Sequence, residues 1–187
     1  MFTASALKQA GRTLFEARRS TTMESSPSAI LAKDAKAFNS LKSYDIFLSH
    51  SVKDGEIIYG LKGELEKQKL TVYVDWIEDP QLSRENVNKG TARTLKERMK
   101  VCRGLLYATS QNTQDSRWMP WELGYFDGIK NKVAICPISE SGTTFTKSEY
   151  LQLYPKAEPH PDPNENYIWI WEDGKILGDI RTWLNTN

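Results

Sequence analysis

The hydrophobic positions of this chain change rhythm along its length. Over residues 3–19, Leu7, Leu14 and Phe15 fall near one face of a helical period, with Lys and Arg elsewhere. The stretch 20–28, STTMESSPS, reads as a polar linker, and 29–41 as a second short helix. From Tyr44 onward, short β-type runs alternate with helical ones. Tyr44–Ser49 (YDIFLS) alternates and is rich in strand formers, so it is the first expected strand. Residues 56–68 carry Ile57, Ile58, Leu61 and Leu65 on one helical face. A second strand follows at 71–75, and Ala92, Leu95 and Met99 mark the next amphipathic helix. The third strand is expected at 104–109 and the fourth at 133–136, where Pro137 should stop it. Between them Pro120 suits the first turn of a helix that runs to about Ile129. Residues 139–166 hold Pro155, Pro159, Pro161 and Pro163 and read as a long irregular connection. Tyr167–Trp171 is the fifth expected strand, and Ile176–Leu184 a closing helix.

Strands alternating with helices predict an α/β fold whose parallel sheet is covered on both faces. Ligands of such folds bind beyond the carboxyl ends of the strands. The segments to search are therefore 49–55, 75–90, 109–122 and 137–150.

The chain's 187 residues fit one domain, 43–187, preceded by a helical and linker extension, 1–42. Six Trp and 39% hydrophobic residues suffice for a sizeable core. Twenty-five basic residues against 24 acidic ones exclude a bulk nucleic-acid binder. No apolar run has a membrane-spanning length, and the N-terminus lacks the apolar stretch of a secretory signal. Cys102 and Cys136 adjoin apolar runs and read as small core residues in a reducing compartment, so the expected location is cytoplasmic. His50 and His160 have no companions at metal-ligand spacing, so no metal is expected, and no Walker-type phosphate loop occurs.

Three segments could carry chemistry. The first, Phe47 to Ser51 with Lys53 and Asp54, offers hydroxyls, an imidazole and charges directly after a buried strand. Taken alone, that is ordinary turn chemistry. The second, Asp75 and Trp76, puts a carboxylate and a large aromatic at another strand end, where Trp commonly roofs a core. In the third, Trp118 and Glu122 stand four apart at a helix start and project from one face, with Trp121 beside them. A lone Glu in a first turn usually does no more than complement the helix dipole. Its flanking tryptophans, which can wall off water, favour a site. Trp169 and Trp171 share one face of a strand and read as packing.

These segments, in this order, resemble Toll/interleukin-1 receptor (TIR) domains, the bacterial ones above all, over residues 43–138 and 166–185. Tyr44–His50 (YDIFLSH) is similar to the family's opening strand motif, and Trp118-x-x-x-Glu122 to the W-x-x-x-E pattern of its NAD-cleaving members. The resemblance implies a flavodoxin-like domain with a five-stranded parallel sheet, and NAD as a substrate, not a cofactor. It implies that Glu122 is the catalytic glutamate and that Phe47, Ser49, Trp118 and Trp121 line the NAD pocket. Asp75 and Trp76 fall where the family's BB loop begins, and are expected at the substrate site. The loop Ile77–Arg84 departs from the family by lacking a glycine-containing turn, and residues 1–42 match nothing in the core pattern. That extension is expected to regulate or support assembly. Self-association through the domain, and an effector that senses the nucleotide product as in antiphage defence, are further implications.

A single carboxylate suits that chemistry. Ordinary glycosidases pair an acid with a base because an alkoxide leaves. Nicotinamide leaves as a neutral ring, so the site must only bind the ribose and stabilise its developing positive charge. Attack by water gives ADP-ribose, and attack by an internal nitrogen or another acceptor gives a cyclic or conjugated product; the residues leave that choice open. Two other functions compete. A non-catalytic TIR scaffold is disfavoured by the intact Trp118/Glu122 pair, and a nucleoside 2-deoxyribosyltransferase by the Tyr44–His50 motif.

Overall fold

The computed structural model describes residues 1–21, 43–79, 88–140, 148–162, 165 and 167–186. In chain order its strands are β1 (Phe2–Thr3), β2 (Tyr44–Ser49), β3 (Val72–Tyr73), β4 (Cys102–Thr109), β5 (Val133–Ser139), β6 (Lys156–Pro159), β7 (Ile168–Glu172) and β8 (Lys175–Asp179). The helices are α1 (Ala4–Thr21), α2 (Gly55–Lys67), α3 (Asp75–Glu78), α4 (Lys89–Lys100), α5 (Met119–Lys130) and α6 (Ile180–Asn185).

Five strands run parallel in the order β3-β2-β4-β5-β6, the flavodoxin-like arrangement. Both faces of β2 are buried, which explains its nearly unbroken apolar run. Ile46 and Leu48 join one core layer with Ile57, Leu61, Leu106 and Trp183, under α1, α2 and α6. Phe47 joins the other with Tyr73, Leu105, Tyr107, Trp118 and Phe126, under α4 and α5.

The C-terminal third departs from the sequence reading. The fifth parallel strand is β6, inside the segment expected to be irregular, and it pairs with β5 at Lys156 and Ile135. The run at 167–171 is instead β7, antiparallel to β6. The expected helix 176–184 divides into β8 and α6. Asp173 and Gly174 both take positive φ, 48° and 76°, and turn β7 into β8 as a two-residue hairpin. Asp179 then caps α6, accepting from the backbone N–H groups of Arg181 and Thr182. Pro137 does not stop β5, because the ladder with β4 ends opposite it, at Thr109, and the strand continues beside β1.

The first 21 residues enter this architecture. β1 pairs with Ile138 and Ser139, and Phe2, Ala4 and Leu7 are buried in the core. Helix α1 lies against α2 with backbone-close contact: a Cβ on Gly60 would meet the Leu7 carbonyl oxygen at 2.0 Å. The linker and second helix read at 20–41 lie, from residue 22, outside the described residues, as does the departing loop from residue 80.

Candidate active site

In this strand order the connections reverse between β2 and β4, which opens a crevice at their carboxyl ends. Ser49 ends β2 there, opposite Tyr107 of β4, and the first turn of α5 comes down over both. Pro120 sits in that turn, and the Glu122 N–H donates to the Trp118 carbonyl at 2.8 Å. Glu122 is 0% exposed, and its Oε2 accepts from the Ser49 hydroxyl at 2.6 Å. A carboxylate is expensive to bury without such support. Here the helix N-terminus and a short charge-assisted hydrogen bond provide it.

Phe47 lies two residues before Ser49 on the same strand face and stacks on Tyr73, with ring centroids 5.2 Å apart. Trp118 is buried and meets Trp121 edge to face at 5.5 Å. Trp121 itself turns outward, stacking on Tyr125 at 5.8 Å with the Lys96 ammonium near both rings. Burial, with Tyr150 and the Glu122 carboxylate nearby, pushes the Tyr107 phenol well above its ordinary range. A cleft of about 270 Å³ adjoins Trp118, lined also by Ser51, Val52, Lys53, Asp115, Ser116 and Arg117.

The structure thus brings Phe47, Ser49, Trp118 and Glu122 to one face and sets Trp121 on the outer side of α5. Asp75 and Trp76 lie at the end of β3 around His50. The Trp76 indole N–H donates to His50 Nε2 at 2.9 Å, and His50 Nδ1 lies 2.8 Å from the Leu48 carbonyl oxygen. With Nε2 accepting from Trp76, the proton is assigned to Nδ1, facing the Leu48 carbonyl, from the hydrogen-bond geometry. Asp75 Oδ1 stands 3.5 Å from Nε2. The Trp76 ring packs toward the α1 and α2 side of the sheet, where it lines an apolar groove with Phe15 and Tyr59.

Sequence reasoning placed His50 and Asp54 in the first candidate segment, declined His50 as a metal ligand and gave neither a specific role. Asp54 is buried and accepts from Ser110 Oγ and Asn112 Nδ2, tying the segments after β2 and β4 together across the crevice. The available signal for both was position, directly after a buried strand. Both cysteines are buried, and burial pushes their thiols far above the usual range, which makes them inert packing. Among the described residues no three His, Cys, Asp or Glu side chains could hold a metal ion, and no helix is long and apolar enough to cross a membrane.

No protein-family model matches the chain. It is 48% identical over 162 residues to the "Probable 3' cyclic ADP-D-ribose synthase ThsB'" of Bacillus cereus (strain MSX-D12), a match covering 84% of this chain and 84% of that protein. It is also 34% identical over 85 residues to the "Putative cyclic ADP-D-ribose synthase TIR2" of Cytobacillus dafuensis, covering 45% of this chain and 22% of that protein.

Proposed function

The chain belongs to the bacterial TIR-domain family, and from that premise we propose that it cleaves NAD at the nicotinamide–ribose bond with Glu122 as the catalytic carboxylate. The observation that carries this reading is a fully buried glutamate, held by Ser49 at the switch point of the sheet. In the reaction the bond between ribose C1′ and the nicotinamide nitrogen breaks, and nicotinamide leaves as a neutral ring with the electron pair. Glu122 faces the positive charge that develops on the ribose. Such fixed charge in a water-poor site is worth far more than in water. Phe47 and Trp118 enclose the ribose and nicotinamide, while Lys53 and Arg117 at the adjoining cleft supply positive charge for the diphosphate. Asp75 forms the neighbouring wall at the end of β3, Trp76 braces His50 behind it from the α1 and α2 side, and Trp121 closes the outer side of α5.

The name of the Bacillus cereus relative favours ring closure by a nucleophile within the same molecule over hydrolysis. The attacking group then loses its proton, and the product is a cyclic ADP-ribose. Because Glu122 is sealed from solvent, the site must open to admit NAD. Self-association through the domain, a reducing cytoplasmic location suited to the two free thiols, and an effector that senses the product complete the proposal.

Glu122→Gln tests it, because the substitution keeps the shape and an acceptor for Ser49 while removing the charge. The variant should fold with near wild-type thermal stability and lose NAD cleavage by at least about 10²–10³-fold, measured as nicotinamide release at matched high protein concentration. A folded variant with wild-type turnover would remove the catalytic assignment of Glu122, and a wild type that releases no nicotinamide under the same conditions would leave a non-catalytic interaction module.

A further inference from the structure

Thr109 is the last residue of β4 and is 0% exposed, yet its hydroxyl meets no hydrogen-bond partner among the described residues. Buried hydroxyls in folded proteins are nearly always paired, and each exception calls for a reason. The hydroxyls that follow it are paired: Ser110 Oγ donates to Asp54, and Thr113 Oγ1 accepts from the Ser110 N–H. A valine of the same shape would fill the Thr109 position without leaving an unmet polar atom, so packing gives no reason for the oxygen.

Position supplies the reason. Successive side chains of a strand alternate between faces. Leu106 and Ala108 belong to the core layer under α1 and α2, whereas Leu105 and Tyr107 belong to the layer under α5. Thr109 continues the second set. Tyr107 stands opposite Ser49, so Thr109 lies one step further toward the carboxyl end of the same face. That face is the one over which the first turn of α5 carries Glu122, with its carboxylate on Ser49.

We propose that Thr109 is a substrate-binding residue whose hydroxyl bonds an oxygen or nitrogen of NAD beside the ribose held by Glu122. A hydroxyl can donate once and accept twice, so it can meet either kind of group. The inference rests on the NAD-cleavage reading and adds a contact from the end of β4, which opens the 109–122 segment but carries no motif residue.

Thr109→Val and Thr109→Ser test it beside wild type and Glu122→Gln. Thr109→Val should fold with an unchanged or higher melting temperature and lose about tenfold in kcat/KM for NAD, the worth of one good hydrogen bond. The loss should fall mainly in KM if the contact is equally strong in ground and transition states. Thr109→Ser, which restores the hydroxyl, should recover most of it. The proposal is overturned if Thr109→Val is folded with wild-type kcat/KM. It is also overturned if Thr109→Val and Thr109→Ser lose activity equally, or if Thr109→Val fails to fold, since the oxygen would then serve packing. When wild type cleaves NAD and Glu122→Gln does not, either result falls on Thr109 alone. A wild type that does not cleave NAD would remove both readings.

Discussion

Replacing a helix-interior glycine with alanine ordinarily stabilises a protein, by up to about 1 kcal/mol. For Gly60, in the middle of α2, the structure reverses that sign. An added Cβ would lie 2.0 Å from the Leu7 carbonyl oxygen, 2.8 Å from its carbon and 3.2 Å from the Gly11 nitrogen. All three are backbone atoms of α1, so no rotamer change relieves the clash. The helix must retreat by more than 1 Å, and Phe2, Ala4 and Leu7, all buried, travel with it. Overpacking of this kind costs about 1–3 kcal/mol, and each large side chain that loses its burial adds up to about 1.5–3 kcal/mol. Set against the gain in helix propensity, Gly60→Ala should be less stable than wild type by roughly 2 kcal/mol. Gly128 in α5 is the control, being exposed with nothing within 4 Å of its added Cβ. Gly128→Ala should raise the melting temperature by about 2–4 °C, while Gly60→Ala lowers it by about 4–8 °C. Thermal unfolding of the three proteins measures both shifts, and urea unfolding the free-energy differences behind them. If Gly60→Ala is as stable as Gly128→Ala, α1 is not docked against α2 as described.

Two more predictions concern charge. Asp45 is pulled in two directions: burial raises its carboxyl, but hydrogen bonds from Thr71 and the Arg103 guanidinium outweigh it and hold the value below the usual range. A depressed carboxyl contributes stability above its unfolded value, near 4, and that contribution is lost as pH falls through the lower folded value. Wild type should therefore lose stability, as pH falls below about 4, more steeply than Asp45→Asn, and parallel pH–stability curves would refute this. Arg98 grips the buried Asp79 with two bonds, of 2.7 and 3.0 Å, while the Tyr73 hydroxyl donates to the same carboxylate. Arg98→Met should lower unfolding free energy by about 3 kcal/mol, because it removes the cation from a buried carboxylate. A loss under about 1 kcal/mol would mean that Asp79 has adequate support without it.

The sequence was most legible where one signal decided an element. Tyr44–Ser49 was read at its observed bounds, because a buried central strand leaves an apolar run that nothing interrupts. Helix α5 was read to within a residue at either end through Pro120 and its apolar spacing. The C-terminal third was misread because two rules were given the wrong weight. Four prolines and few apolar residues make 139–166 read as irregular, yet a short strand follows Pro155 and ends on Pro159, and its single registered pair with β5 asks little of the backbone. Asp173-Gly174 is among the strongest local hairpin signals, and it was passed over in favour of helical spacing in 176–184. For the site, residue types pointed to Ser49, Trp118 and Glu122, which converge. They could not foretell that Trp121 would turn toward Lys96, since neighbouring helix positions differ by 100° and only packing decides which faces inward. Thr109 opens the 109–122 segment, but its type does not single it out: an unmet hydroxyl is a property of its surroundings.

The two ends of the sheet treat polar groups in opposite ways. At the amino ends, Asp45 is saturated: the Thr71 N–H and hydroxyl both reach its Oδ2, and Arg103 holds its Oδ1 while extending to Leu184 and Asn185 in α6. That clasp joins β2, β4 and the C-terminal helix, and it has no exposure to the crevice. At the carboxyl ends, a carboxylate is buried at 0% exposure, and a threonine hydroxyl is left unmet among the described residues. Neither choice favours folding, since an uncharged isostere at Glu122 and valine at Thr109 would each be easier to bury. A chain selected for stability alone would have no cause to concentrate both at one strand edge. Their convergence at the topological switch point, where this strand order leaves room for a ligand, is intelligible if a bound nucleotide meets the Thr109 hydroxyl and lies against the Glu122 carboxylate. Stability and activity should then be separable by position. Substitutions at Asp45 or Arg103 should shift unfolding without altering turnover of the folded protein, whereas Thr109→Val and Glu122→Gln should alter turnover with little change in unfolding.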